Sequence, residues 1–212
     1  MKLLTFYSPS HEPLVRRLLA SRLEEFSVVC RQVPQGDSKG SYGARGYKQL
    51  VHGKASIIEE EFTEDLVFAD ADVVFLRPSL AAFVEDLGDA ECAFQRDAAD
   101  ACAGLFILRY TQRCRALVRS WVEMLATPEY LVESNAYDQD ALNRLLRATR
   151  FPYAWLGPRF VNPWTLTGKH WDGQPLSIPA ETVAFHANWC IGVDAKARLL
   201  EMASAAAHAD SD

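Results

Sequence analysis

Two aspartates one residue apart, Asp70 and Asp72, interrupt the apolar run Leu66-Val67-Phe68-Ala69-Asp70-Ala71-Asp72-Val73-Val74-Phe75-Leu76. Carboxylate oxygens are hard ligands, better matched to Mg2+ or Mn2+ than to zinc, which prefers nitrogen and sulfur. Val, Phe and Leu on both sides predict a buried strand, where an unpaired carboxylate is costly to desolvate. Residues i and i+2 of an extended chain share a side. The pair is therefore expected to converge on one cation at a strand end, with Ala71 turned away. The plainer reading, two solvated acids at a turn, does not account for the flanking hydrophobic residues.

Other residues offer polar chemistry at a distance in the chain. His186 lies in Phe185-His186-Ala187-Asn188-Trp189-Cys190-Ile191-Gly192, with Lys196 beyond. A neutral imidazole can complete a metal site when a neighbour orients its other nitrogen, although a lone histidine also serves as a core or surface residue. Tyr137-Asp138-Gln139-Asp140-Ala141-Leu142-Asn143 opens a helix. Asp138 suits its N-terminus as a cap or, with Gln139, faces a cleft. Asp140 and Asn143 are expected on the helix surface. Lys48 and Lys54 precede the acidic run on a helix, where most lysines are solvated. Gly104 in an apolar strand permits close approach of a ligand or relieves packing. Tyr153, Trp155, Trp164 and Trp171 cluster late in the chain, with core cover as the ordinary role and stacking as the alternative.

The elements that must position these groups alternate between strand and helix. Strands are predicted over Lys2–Tyr7, Ser27–Val33, the acidic run, Ala90–Gln95, Cys102–Tyr110, Tyr153–Leu156 and Thr182–His186. Helices are predicted over Glu12–Phe26, Tyr47–Glu61, Ser79–Leu87 capped by Ser79, Thr111–Ala126, Tyr137–Ala148 and Asp194–Ala205. Pro34–Gly46 is a polar, glycine-rich loop. The alternation indicates an α/β domain with a mixed, mainly parallel sheet covered by helices on both faces. In such sheets ligands gather at the carboxyl ends of strands. One domain over 1–205 is expected, with 206–212 a frayed tail.

The 212 residues are 49% hydrophobic and carry a formal net charge of −6, enough for a sizeable core and against nucleic-acid binding. Five dispersed cysteines, Cys30, Cys92, Cys102, Cys114 and Cys190, fit reduced thiols in a cytoplasmic protein. The N-terminus lacks a signal-peptide pattern. No run approaches the roughly 20 apolar residues that span a bilayer, so membrane contact is expected to be peripheral at most.

In order along the chain, Tyr7-Ser8, Lys54, Asp70-Ala71-Asp72, Ala103-Gly104, Asp138-Gln139-Asp140-Ala141-Leu142-Asn143 and His186 with Gly192 and Lys196 resemble the nucleotide-diphospho-sugar transferases of GT-A fold. The likeness is greatest to retaining families of the glycogenin, lipopolysaccharide galactosyltransferase and plant xylosyltransferase kind, and spans nearly the whole chain. The resemblance implies a metal-dependent transfer from a nucleoside-diphosphate sugar, UDP-sugar by prior, to a hydroxyl on a glycan, lipid, small molecule or protein. It implies Mn2+ or Mg2+ held by Asp70, Asp72 and His186. It places Tyr7 and Ser8 beside the nucleoside and Lys54, Ala71 and Gly104 on the donor. Asp138 and Gln139 would stand at the reacting sugar, and Lys196 or the backbone near Gly192 would neutralise phosphate. Cys102-Ala103-Gly104 replaces the family's Asn-Ser-Gly, and Lys196 lies farther beyond the histidine than usual. Two alternatives are a non-catalytic sugar-nucleotide-binding protein of the same fold and a haloacid-dehalogenase-type phosphotransferase.

Overall fold

The computed structural model describes residues 1–35, 47–133 and 136–209. Residues 36–46 of the expected glycine-rich loop, and the side chain of Lys48, lie outside the described residues. In chain order the elements are β1 (Lys2–Tyr7), α1 (Glu12–Leu19), β2 (Ser27–Gln32), α2 (Tyr47–Glu61), β3 (Leu66–Ala69), β4 (Val73–Phe75), α3 (Leu80–Leu87), β5 (Cys92–Asp97) and β6 (Asp100–Leu108). They continue with α4 (Gln112–Leu125), α5 (Asp138–Thr149), β7 (Ala154–Trp155), β8 (Phe160–Val161), α6 (Pro163–Thr167), β9 (Ala184–His186) and α7 (Val193–Ala209).

The main sheet has strand order β2-β1-β3-β6-β5-β7. β1 pairs in parallel with β2 and β3, and β5 with β7, whereas β6 runs antiparallel to β3 and β5. The reversal follows from a tight hairpin. Asp97 pairs with Asp100 across Ala98 and Ala99, and Ala98 takes φ +55. A connection of two residues joins only antiparallel neighbours.

Side chains alternate across this sheet into two cores. Leu4, Phe68 and Phe106 pack beneath α2, α4 and α5 with Ile58, Trp121 and Leu142. Leu3, Val67 and Ile107 point the other way, against Leu18 of α1, Phe83 of α3 and Phe75 of β4. Burial on both faces explains why β3 and the Leu105–Leu108 stretch of β6 read as unbroken apolar runs.

The acidic run is not one strand. β3 stops at Ala69, residues 70–72 turn, with Val73 N donating to Asp70 O at 3.1 Å, and β4 joins a second sheet of order β4-β9-β8. The turn ends one ladder and begins the next: Asp70 N donates to Gly104 O at 2.7 Å, and Ala187 N donates to Asp72 O at 2.8 Å. The aspartates thus leave the carboxyl end of β3 as expected, but a turn converges them rather than strand periodicity.

Four other expectations are corrected. α1 ends at Leu19, not Phe26, because Ser21 Oγ donates to Leu18 O at 2.5 Å and accepts from Phe75 N at 3.2 Å, drawing the chain onto β4. Ser79 does not cap α3. The Glu25 carboxylate does, accepting from Ser79 N at 2.8 Å and Leu80 N at 3.0 Å. Asp138 does not cap α5. It is the first helical residue, after Tyr137, whose N–H donates to Asp140 at 2.8 Å. α7 runs from Val193 to Ala209, past the expected helix end at Ala205. Among the described residues no helix is long and apolar enough to cross a membrane. All five cysteines are free thiols.

Candidate active site

The turn at residues 70–72 sits where the two sheets meet. β9 runs antiparallel to β4 with His186 opposite Val73, which sets the imidazole beside the aspartates. One ligand atom from each of Asp70, Asp72 and His186 lies within 4.8 Å of the others. His186 Nε2 is 3.4 Å from Asp72 Oδ1. Gly104, on β6 behind them, leaves the space open. A Cβ there would stand 2.5 Å from Asp70 Oδ2, 2.5 Å from His186 Cε1 and 3.1 Å from Nε2. Close approach, not packing relief, is therefore what this glycine provides.

The tautomer of His186 is fixed from behind. Gln95 Nε2 donates to Val161 O at 3.1 Å, so its Oε1 faces the ring and meets Nδ1 at 2.9 Å. Nδ1 then carries the hydrogen, and the Nε2 lone pair points at the aspartates. That is the arrangement in which a histidine ligates a metal. Burial alone would lower the His186 imidazole, but the Asp72 carboxylate outweighs it and pushes the group up to about 10. The field that favours a proton on Nε2 equally favours a cation there. The donor set of two carboxylates and one imidazole, the oriented Nε2 and the cradle at Gly104 fit a divalent cation of the Mg2+ or Mn2+ type.

Lys54 reaches down from α2. Its Nζ lies 2.9 Å from Asp70 Oδ1, 2.9 Å from Asp138 Oδ2 and 3.2 Å from Ala103 O. It is not one of the solvated helix lysines. Burial works against its charge, but Asp138 and Asp70 hold the ammonium above its ordinary value. Asp138 is itself raised, because its burial outweighs a lysine shared with Asp70. Lys196, in the first turn of α7, places Nζ 2.5 Å from Asp72 Oδ2. Burial raises the Asp72 carboxyl, yet Lys196 and His186 together hold it well below the usual carboxylate range. The wide interval between His186 and Lys196 is taken up by the bend at residues 187–192.

Lys54, Asp70, Asp72 and Lys196 line two cavities at once. A small one of about 70 Å3 is bounded by Phe6, Tyr7, Ser8, His11 and Ala71 at the carboxyl end of β1. Tyr7 Oη donates to Gln32 Oε1 at 3.3 Å, and buried Ser8 Oγ lies 3.2 Å from His11 Nδ1. The other cavity, of about 580 Å3, runs past Gly104, Asp138 and Gln139 to Asp97, Asn188 and Trp189. A larger cavity, about 1130 Å3, adjoins it across His170, Cys190 and Ile191 and contains no part of the carboxylate cluster. Gly192 lines that third cavity, away from the aspartates; its O accepts from Lys196 N at 3.1 Å and starts α7.

Gln139 is held at both ends. Its Oε1 accepts from Ala103 N at 3.0 Å and its Nε2 donates to Asp97 Oδ2 at 2.9 Å. Asn143 is not a surface residue. It is buried, and its amide exchanges hydrogen bonds with Ala101 N at 2.9 Å and Ala101 O at 2.8 Å, fastening α5 to β6. Gln95, Asp97 and His11 were not identified from the sequence as site residues, and Trp189 was marked only as part of the run from His186 to Gly192. The available signal was strongest for Gln95, an amide that directly follows the apolar run Cys92-Ala93-Phe94 in a strand, because a buried polar side chain must have a partner. Of the late aromatics, Tyr153 and Trp155 pack against the core beneath α2, α4 and α5, and Trp171 against a third apolar core, in which Leu199 and Leu200 of α7 meet Leu14, Val74 and Phe185. Trp164 instead stacks on Trp189, with centroids 4.4 Å apart.

A mixed sheet with helices on both faces, presenting paired carboxylates at a strand end between two cavities, defines a GT-A nucleotide-sugar transferase. The chain belongs to the nucleotide-diphospho-sugar transferase family, whose model matches residues 17–200, and is a glycosyltransferase. No curated protein matches the sequence. Among solved structures, it is similar to a glycosyltransferase involved in glycosylation of the major capsid of PBCV-1, with TM-score 0.62 and 11% identity over 95% of this chain and 98% of that one. It is also similar to the glycosyltransferase GlyE of Streptococcus pneumoniae TIGR4 in its apo form, with TM-score 0.54 and 14% identity over 87% of this chain. The match spans 54% of GlyE, so this chain corresponds to about half of that protein. At such identities these neighbours share the fold. The family match displaces the dehalogenase-type alternative.

Proposed function

We propose that the protein is a metal-dependent glycosyltransferase that uses a nucleoside-diphosphate sugar, UDP-sugar by prior, and retains the anomeric configuration. The observation that carries the donor placement is the sharing of Lys54, Asp70, Asp72 and Lys196 between two cavities. A diphosphate at that junction sends its nucleoside towards Tyr7, Ser8 and Ala71 and its sugar past Gly104 towards Asp138 and Gln139.

Charge supports metal dependence. Five carboxylates, Asp70, Asp72, Asp97, Asp138 and Asp140, line the 580 Å3 cavity against two lysines. That surplus repels a diphosphate unless a cation stands between them. Bound at Asp70, Asp72 and His186, Mn2+ or Mg2+ would neutralise the diphosphate and act as a Lewis acid on the leaving oxygen. Lys54 and Lys196 hold Asp70 and Asp72 in place, and Lys196 with His186 keeps Asp72 ionised. Preorganised charge of this kind supplies much of a transfer enzyme's acceleration.

The transfer breaks the bond between the anomeric carbon and the phosphate oxygen and forms one to the acceptor oxygen. The lining carboxylates are already committed: Asp70 and Asp138 to Lys54, Asp72 to Lys196, Asp97 to Trp189 and Gln139, and Asp140 to Tyr137 N. That favours the retaining course, in which the acceptor proton passes to the departing phosphate on the same face. The free cysteines suit the reducing cytoplasm.

A thermal-shift panel of UDP-, GDP-, dTDP- and CDP-sugars, with and without Mn2+, tests this reading. One nucleotide with the metal is expected to stabilise the protein, by about 2.7 kcal/mol at a hundredfold excess over Kd. Stabilisation that ignores the metal, or wild-type transfer rates in Asp70→Asn and Asp72→Asn, would overturn it.

A further inference from the structure

Trp189 lines the 580 Å3 cavity beyond Gln139, on the side away from the nucleoside end. Its backbone takes φ +55, a conformation uncommon for a bulky side chain, and such strain concentrates at functional sites. Its Nε1 donates to Asp97, the carboxylate that also receives Gln139 Nε2. The indole is half-buried and lies on Trp164 at 30° between ring planes, with the edge of His170 at 4.7 Å. Neither Trp164 nor Trp189 belongs to any of the three apolar cores, unlike Trp121, Trp155 and Trp171. Trp189 is thus committed to the wall of a cavity, with Trp164 stacked on it.

The surroundings specify what such a wall would take. Asn188 Oδ1, beside Trp189 and on the same cavity, is buried and accepts no hydrogen bond among the described residues. The exposed Asp140 carboxylate stands on the cavity rim. A pyranose ring has a C–H face that covers a flat aromatic surface and a circumference of hydroxyls that donate to carboxylate and amide oxygens. Apolar walls with a few placed polar atoms fix both the ring and its orientation.

We propose that Trp189, backed by Trp164, is the floor of an acceptor subsite for a pyranose ring, with Asn188 Oδ1 receiving one of its hydroxyls. The acceptor is then itself a carbohydrate. Asp97 is a positioning residue that keeps the indole beside Gln139, so that the acceptor ring meets the face where the donor sugar is transferred. The inference rests on the donor placement proposed above.

Saturation-transfer NMR tests it on the full chain with diamagnetic Mg2+, UDP or GDP, and a panel of methyl α- and β-pyranosides. At least one glycoside is expected to bind the wild type, with its ring C–H protons most strongly saturated. Trp189→Asn removes the ring while suiting the left-handed backbone, and is expected to weaken that binding by about tenfold or more. Trp189→Phe keeps an aromatic face and is expected to retain part of it. Trp164→Leu, which leaves Trp189 in place without its backing, is expected to fall between them. The melting shift caused by the nucleoside diphosphate should be unchanged in all three. The inference is overturned if no pyranoside binds a wild type that binds nucleotide, if Trp189→Asn binds as the wild type does, or if a serine and threonine peptide panel binds in place of the glycosides. Failure of UDP and GDP to shift the melting counts against the donor placement alone, because the glycoside measurement still reports on Trp189.

Discussion

A Cβ on Gly104 would stand 2.5 Å from Cε1 of His186, and equally close to Oδ2 of Asp70. His186 cannot swing away cheaply, because Gln95 holds Nδ1 at 2.9 Å. Gly104→Ala is therefore expected to cost about 1–3 kcal/mol of stability through overpacking. It should also abolish Mn2+-dependent nucleotide binding, because the methyl group fills the space between the ligands. Calorimetric titration with Mn2+ and urea denaturation measure the two effects. Wild-type Mn2+ affinity in this variant would refute the cation placement.

Gln95 touches no substrate, yet it decides which nitrogen of His186 faces the aspartates. Gln95→Met keeps the volume and removes both the acceptor for Nδ1–H and the donor to Val161 O. Loss of an orienting partner of this kind costs about 10–100-fold in metal affinity. The unpaired buried carbonyl adds about 1–3 kcal/mol of destabilisation. Mn2+ titration of the variant checks the first figure and chemical unfolding the second. A Kd within twofold of wild type would show that the imidazole is oriented by something else.

The chain's local order was readable because it is local. β1 and α2 have the bounds that apolar periodicity predicts, and β3 ends where the aspartates begin. What escaped the sequence depends on partners far away. His186 Nδ1 meets Gln95 across 91 positions and Trp189 meets Asp97 across 92. Nothing near Asn188-Trp189 in sequence marks that pairing. The division of the acidic run between two sheets escaped for the same reason: β4 is drawn off by pairing with β9, more than a hundred residues later. Lys54 and Asp138 were named as candidates, but only the packing of α2 and α5 over β6 brings them together.

Lys54 offsets two carboxylates from a buried position, so its removal is expected to be costly. Lys54→Met leaves Asp138 buried and without its counter-charge, and breaking such a pair costs about 3–5 kcal/mol. The double variant Lys54→Met/Asp138→Asn removes both charges and should recover part of that loss. Urea unfolding of the two variants and of Asp138→Asn closes the cycle. If the double variant were no more stable than Lys54→Met, the Lys54–Asp138 contact would carry little of the ionic cost.

Away from the site, Glu61 at the end of α2 should give the fold a defined acid sensitivity. Its Oε1 accepts from Arg31 Nε at 2.8 Å, and Lys2 Nζ lies 3.5 Å from Oε2. Desolvation pushes this carboxyl up, but Arg31 and then Lys2 outweigh it and hold it below its ordinary value. A carboxyl depressed in the folded state binds its proton more readily once the chain unfolds. Its contribution is therefore complete above the unfolded value of about 4.3 and is lost as pH falls through the lower folded value. Glu61→Gln should be less stable than wild type at pH 7, and the gap should close as pH is lowered through that window. Parallel urea denaturation of the two proteins from pH 7 down to pH 3 measures it. A gap that stays constant with pH would mean that Glu61 stabilises through packing of its stem and not through its charge.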